Sequence, residues 1–139
     1  MRRDEDSPRW ISGTDTARQP ALNVKGGLSP RNARRVQEFL NENFSRKLAL
    51  ADMAAVCELS PYHFVRAFSK TFGAPPHQYV LDLRLDFAER LLADSRMTIA
   101  EIAHLSGFSS QSHFTTVMKK NRQVTPLQAR AGKLNSKIR

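Results

Sequence analysis

Two histidines in equivalent positions of a repeated stretch are the first candidates for chemistry in this chain. His63 and His113 are each followed by a phenylalanine. A histidine pair is typical of zinc sites, but neither residue has cysteine or carboxylate ligands nearby at metal-binding spacing. We therefore expect no metal and no cofactor. Helix capping, packing and contact with phosphate all stay open as roles for these histidines.

The sequence contains no set of residues that is typical of catalysis. Gly73 and Gly107 are isolated and do not form a phosphate-binding loop, and the serines lie at expected helix caps. Cys57 is the only cysteine, so we interpret it as a small apolar core residue. An enzyme would need paired carboxylates or a Ser-His-Asp set. We expect no enzymatic activity, and an enzyme remains one alternative class.

The basic residues are unevenly distributed along the chain. The net charge is +9, and residues 31–139 hold seventeen basic and nine acidic side chains. No acidic residue follows Glu101, whereas seven lysines and arginines do. Such a one-sided excess is expected of proteins that bind phosphate backbones, although a solvated basic tail is the simpler alternative. The lone cysteine and the lack of a secretory signal favour a cytoplasmic protein.

An internal repeat is the strongest pattern in the sequence. Residues 63–78 align with residues 113–128, and five positions are identical in the two copies: His63, Phe64, Lys70, Pro76 and Gln78 match His113, Phe114, Lys120, Pro126 and Gln128. A repeat that occurs only twice indicates a duplicated subdomain and not a solenoid. Each copy is typical of a helix-turn-helix. In the second copy Thr98 and Glu101 have the spacing of a capping box.

Helical spacing of apolar residues predicts an all-α fold with about seven helices, and no segment has the alternation of a strand. The first helix is expected to begin at Ser29-Pro30. A long helix, roughly His77 to Ala93 and ~25 Å in length, joins the two copies. It is expected to present one apolar stripe, formed by Tyr79, Val80, Leu83, Phe87, Ala88, Leu91 and Leu92. The expected core also contains Leu50, Phe64, Phe68, Leu105, Phe108 and Phe114.

The domain organisation follows from the same patterns. Residues 1–28 contain glycines and prolines without sustained apolar periodicity, which predicts a flexible N-terminal tail. Residues 29–131 are expected to form the double helix-turn-helix domain, with a basic C-terminal tail over residues 132–139.

The arrangement over residues 30–131 resembles the DNA-binding domain of the AraC/XylS family of bacterial transcription regulators. The residues that carry the resemblance include Met53, Ala54, Ser60, Phe64, Arg66, Phe68, Gly73, Tyr79, Ile102, Ala103, Gly107, Phe108, His113, Phe114, Thr125, Pro126 and Arg130. The resemblance implies a monomer that binds double-stranded DNA, with RNA polymerase as a candidate second partner. Residues 61–70 and 111–120 would be the reading helices, held ~34 Å apart in successive major grooves.

The outward positions of these two helices give the candidate DNA contacts. They are Tyr62, Val65, Arg66 and Ser69 on the first helix, and Gln111, Ser112, Thr115, Thr116, Lys119 and Lys120 on the second. Arg66 can donate two hydrogen bonds to guanine, and Gln111 can pair with adenine. Tyr62 and the threonines suit a thymine methyl group or the backbone. The lysines suit phosphates.

Several residues depart from the family pattern. Glu58 stands where glycine is usual in the first turn, which predicts a non-glycine residue with positive φ. Ala49 lacks the hydroxyl that caps the second unit. In the second unit Thr116 and Gln123 replace a frequent arginine and glycine, as Met118 and Ala129 replace a phenylalanine and a tyrosine. These departures keep open a second class of function, a helical protein-interaction module that has lost DNA binding.

Overall fold

The structure, a computed structural model, describes residues 19–138, with side chains described for residues 19–132. In this part of the chain the fold is all-α, with seven helices and no strand, as predicted. The helices are α1 (Pro30–Asn43), α2 (Leu50–Val56), α3 (Pro61–Phe72), α4 (Pro76–Asp94), α5 (Ile99–Ser106), α6 (Gln111–Arg122) and α7 (Pro126–Ile138). No helix among the described residues is both long and apolar enough to cross a membrane.

The ends of the described chain differ from the predicted tails. The Ala21 N–H donates to the Thr71 carbonyl at 2.7 Å, and the Leu28 N–H donates to Thr71 Oγ1 at 2.7 Å. Leu28 is also buried, so residues 21–28 are held against α3. Local sequence does not reveal these contacts because the partners are more than forty residues apart. Residues 1–18 of the predicted tail lie outside the described residues. At the other end α7 continues to Ile138.

The chain divides into two compact units, and the first contains residues up to Asn43 together with Leu48–Leu83. Its core is built on an aromatic cluster from α3 and the start of α4. The ring of Phe68 lies 4.5 Å from that of Phe72 and 5.5 Å from that of Tyr79. Further buried apolar residues come from α1, from α2 and from the residue directly after α2: Ala33, Val36, Leu40, Met53, Ala54 and Cys57.

The second unit contains Phe44–Lys47 and Arg84–Arg139. Phe108 and Phe114 stack with ring centroids 5.0 Å apart, and Ile102 and Met118 are fully buried beside them in the core. Arg84 Nε donates to the Phe44 carbonyl at 2.7 Å, which ties the short segment after α1 to the second half of α4. Burial lowers the pKa of Arg84 from its usual value.

Helix α4 confirms the predicted long helix but not its single apolar stripe. Residues on several sides of α4 are buried, including two carboxylates, Asp82 and Asp86. The reason is that the first half of α4 belongs to one unit and the second half to the other, so each half has its own buried side. A helical-wheel pattern assumes one partner surface for the whole helix, and this assumption fails here.

Four predicted core residues, among them the half-buried Leu91, are less buried than expected. Leu50, at the start of α2, is 37% exposed, and Leu105, on α5, is 44% exposed. Phe87 is half-buried, and it makes an edge-on contact with Phe44 at 5.4 Å. The other predicted phenylalanines, at 64, 68, 108 and 114, are buried as expected.

Candidate nucleic-acid interface

Helices α3 and α6 coincide with the two segments that the sequence predicts as reading helices. Each begins with a serine cap, in which Ser60 Oγ accepts from the His63 N–H at 3.2 Å and Ser110 Oγ accepts from the His113 N–H at 3.0 Å. The caps satisfy backbone N–H groups that a helix start leaves without partners. The two helices are twelve residues long each, so the duplicated sequence folds into duplicated elements.

The turn before each of these helices contains one residue in the left-handed conformation. Glu58 has φ 58° and Gly107 has φ 97°, which confirms the predicted positive φ at Glu58. At Gly107 a side chain would have no room, because an added Cβ would lie 2.8 Å from the Ser45 carbonyl oxygen. Glu58 is exposed, so its side chain points into solvent while the backbone carries the strain.

On α3, two of the four predicted contact residues form a pair. Tyr62 is 73% exposed, and Arg66 is exposed one helical turn later. Arg66 Nη1 donates to Tyr62 Oη at 3.1 Å, and the guanidinium carbon lies 5.7 Å from the centre of the tyrosine ring. Val65 and Ser69 are half-buried beside them. The outer face of α3 therefore presents an ordered aromatic and cationic group.

On α6, the predicted contact residues are short or flexible. Five of the six are exposed, and Thr115 is half-buried; the exposed ones are Gln111, Ser112, Thr116, Lys119 and Lys120. This face offers an amide, hydroxyl groups and two cations. Such groups suit adenine, thymine methyl groups and phosphate oxygens.

Two arginines of the basic C-terminal part have structural roles inside the second unit. Arg122 donates to Asp86 at 3.0 Å and to Glu89 at 3.2 Å. Arg130 donates to three carbonyl oxygens, of Leu92, Ser95 and Met97, at 2.9 to 3.2 Å. Part of the charge that the sequence offers for phosphate binding is therefore used to hold α6 and α7 in place. The local sequence does not reveal these contacts because the partners are 33 to 38 residues away.

His113 and Cys57 make packing or hydrogen-bond contacts inside the protein. Over the described residues, no group of three or more histidine, cysteine, aspartate or glutamate side chains could hold a metal ion. His113 Nδ1 lies 3.1 Å from Ser109 Oγ, which orients the ring, and the ring also meets Phe108 edge-on at 5.6 Å. Cys57 is buried as predicted, and burial raises the pKa of its thiol to about 11.

Comparison with known proteins identifies the family. The family model described as "Helix-turn-helix domain" matches residues 53–132. A transcriptional regulator of Chromobacterium violaceum with an AraC-type DNA-binding domain has a similar structure, with a TM-score of 0.69 and 28% identity over 74% of this chain and 92% of that one. The chain belongs to the AraC/XylS family.

Two further relatives extend the comparison. The DNA-binding domain of AdpA, solved in complex with a target DNA, has a TM-score of 0.68 and 26% identity, over 73% of this chain and 90% of that one. The probable transcriptional regulator LumQ of Photobacterium leiognathi is 32% identical over 66% of this chain and 37% of LumQ. The chain spans less than half the length of the curated relatives it matches.

Proposed function

We propose that this chain binds double-stranded DNA sequence-specifically and regulates transcription. The observation that carries the proposal is the pair of capped helix-turn-helix units, each of which exposes a polar face on its second helix, α3 or α6. A major groove ~12 Å wide accepts one α-helix. The similarity to a domain solved with its target DNA supports the same role for this chain.

In this proposal α3 and α6 enter two successive major grooves of one duplex, and a single chain occupies the site. Arg66 reads guanine, Gln111 reads adenine, and Thr115 and Thr116 contact thymine methyl groups or phosphates. Val65, Ser69 and Ser112 line the same two faces. The protein acts in the cytoplasm, uses no cofactor and catalyses no reaction, and RNA polymerase is the second partner.

Lys119 and Lys120 supply affinity without sequence information. Both are exposed at the end of α6, and lysine binds phosphate as a point charge that releases counterions from DNA. We expect Lys119→Ala and Lys120→Ala to weaken binding to every sequence alike. Each change should reduce the slope of log affinity against log salt by about one unit per lost phosphate contact.

The test is selection of DNA by the purified chain, followed by affinity measurement on the selected and a scrambled duplex. A DNA-binding regulator selects a defined site, binds it as one chain per duplex of about two helical turns, and loses affinity steeply with salt. A chain that shows neither selection nor salt-sensitive retention of DNA contradicts the proposal. That result would favour a helical protein-interaction module instead.

A further inference from the structure

Tyr62 and Arg66 form a contact on the exposed face of α3. Arg66 Nη1 donates to Tyr62 Oη at 3.1 Å, and the guanidinium lies over the ring at 5.7 Å. An exposed arginine ordinarily moves among many rotamers and loses this freedom when it binds. The hydrogen bond and the cation–π contact restrict Arg66 before any ligand arrives, so less freedom is lost on binding.

The pair keeps the groups that base recognition needs. The guanidinium has five N–H donors, and the bond to Tyr62 uses one of them, so two parallel donors are left for guanine O6 and N7. The tyrosine ring is 73% exposed although one face meets Arg66. Its remaining apolar surface suits the methyl group that thymine presents in the major groove.

We propose that Tyr62 is the positioning residue for Arg66, and that the two residues read a step of two adjacent base pairs as one unit. Arg66 takes the guanine and the Tyr62 ring takes the methyl group of the neighbouring thymine. This inference rests on the proposed DNA-binding function and adds a defined element of its recognition site, a guanine next to a thymine.

Helix α6 provides matched controls within the same chain. The repeat places Ser112 and Thr116 at the positions that correspond to Tyr62 and Arg66. These side chains are too short to interact across a helical turn, where Cβ atoms are ~5–6 Å apart. The effects of Ser112→Ala and Thr116→Ala should therefore be additive.

The experiment is a double-mutant cycle on the full chain with the selected duplex and a scrambled duplex. Tyr62→Phe keeps the ring and removes the hydroxyl. We expect it to weaken binding to the selected site by about 3- to 10-fold, with little change on the scrambled duplex. In an Arg66→Ala background the same change should have no effect, because the hydroxyl has no guanidinium to hold.

A second arm tests the contact with thymine. Replacement of the thymine next to the recognised guanine by uracil removes only the methyl group, and we expect wild-type affinity to fall by about 2- to 5-fold. Tyr62→Ala should bind the thymine and uracil duplexes equally. Thermal melts of all variants should match the wild type, since both side chains are exposed.

The outcomes separate the inference from the function on which it rests. If the wild type discriminates between the selected and scrambled duplexes but Tyr62→Phe has the same effect with and without Arg66, the coupling is wrong and the DNA-binding function stands. Equal loss of affinity for uracil in the wild type and in Tyr62→Ala would overturn the thymine contact. A wild type that does not discriminate at all would overturn both proposals.

Discussion

The two helix-turn-helix units each contain two left-handed residues, but glycine and non-glycine residues exchange places between them. In the first unit the turn has Glu58 at φ 58° and the end of α3 has Gly73 at φ 78°. In the second unit the turn has Gly107 at φ 97° and the end of α6 has Gln123 at φ 62°. Both copies thus have left-handed residues at the same two positions. The strained non-glycine residue lies in the turn of the first copy and at the end of α6 in the second.

The first helix of each helix-turn-helix, α2 or α5, also has a different cap. Thr98 Oγ1 accepts from the Glu101 N–H at 3.0 Å, and Glu101 accepts from the Thr98 N–H at 2.9 Å, which completes a capping box for α5. Helix α2 has half of this arrangement, because Asp52 accepts from the Ala49 N–H at 3.3 Å and alanine has no hydroxyl to return the bond. The second unit therefore has glycine in its left-handed turn and a complete capping box on α5. In the first unit, by contrast, two exposed side chains of α3 are joined by a hydrogen bond.

The largest expected difference between the units is the loss of stability when their left-handed glycines are replaced by alanine. At Gly107 an added Cβ would lie 2.8 Å and 2.9 Å from backbone atoms of Ser45, whereas at Gly73 it would meet nothing within 4 Å. We expect Gly107→Ala to lower the free energy of unfolding by about 2–4 kcal/mol and Gly73→Ala by about 1 kcal/mol. Urea denaturation of both variants measures this. Equal losses of stability would contradict the expected clash between a Cβ atom at residue 107 and the backbone of Ser45.

A smaller difference concerns the last buried position before each turn. Ser106 is fully buried, and its hydroxyl has no hydrogen-bond partner among the described residues. At the equivalent position of the first unit the Cys57 thiol lies 3.8 Å from the Asn32 carbonyl oxygen. We expect Ser106→Ala to raise the free energy of unfolding by about 1 kcal/mol, because a buried unpaired hydroxyl is costly.

The matched control for Ser106 is Cys57→Ala. That variant should be destabilised by about 1 kcal/mol, since it removes a packed sulfur atom. Thermal or urea melts of the two variants compare the two positions directly. Destabilisation by Ser106→Ala would mean that the hydroxyl makes a needed contact.

The smallest expected effects come from placing glycine at the strained non-glycine residues. Glu58→Gly should leave stability unchanged or raise it by up to about 1 kcal/mol, because glycine adopts positive φ without a steric penalty. Gln123→Gly should gain less, since it also loses the bond from Gln123 Nε2 to the Lys120 carbonyl at 3.1 Å. A clear loss of stability in Glu58→Gly would show that its side chain makes a contact that the domain needs.

The sequence predicts contacts between residues that are close along the chain better than contacts between residues that are far apart. The Thr98–Glu101 box and the serine caps depend on residues within four positions of each other, and their patterns are visible in the sequence. The left-handed conformation of Glu58 follows instead from the resemblance to the family, in which glycine is usual at that position. The roles of Arg122 and Arg130 depend on partners 33 or more residues away, which no local pattern reveals.

The candidate site shows the same limit. Helical periodicity predicts which residues of α3 and α6 face outward, and the resemblance to the family marks these two helices as the reading helices. Tyr62 and Arg66 have the spacing of neighbours on a helix, but their hydrogen bond depends on rotamers that spacing does not specify. The burial of α4 on several sides, with Asp82 and Asp86 inside, needed knowledge of both units.

The central claim is that Arg66 reads guanine through two hydrogen bonds, which Thr116 at the equivalent position of α6 cannot make, and one comparison tests it most directly. The measurement is the affinity of wild type, Arg66→Ala and Thr116→Ala for the selected and scrambled duplexes at two salt concentrations. Arg66→Ala should reduce the ratio of the two affinities by about tenfold or more, the value of one bidentate contact with guanine, and Thr116→Ala should reduce it by less than about threefold. If Arg66→Ala lowers both affinities by the same factor, Arg66 contacts only the DNA backbone and the account is contradicted.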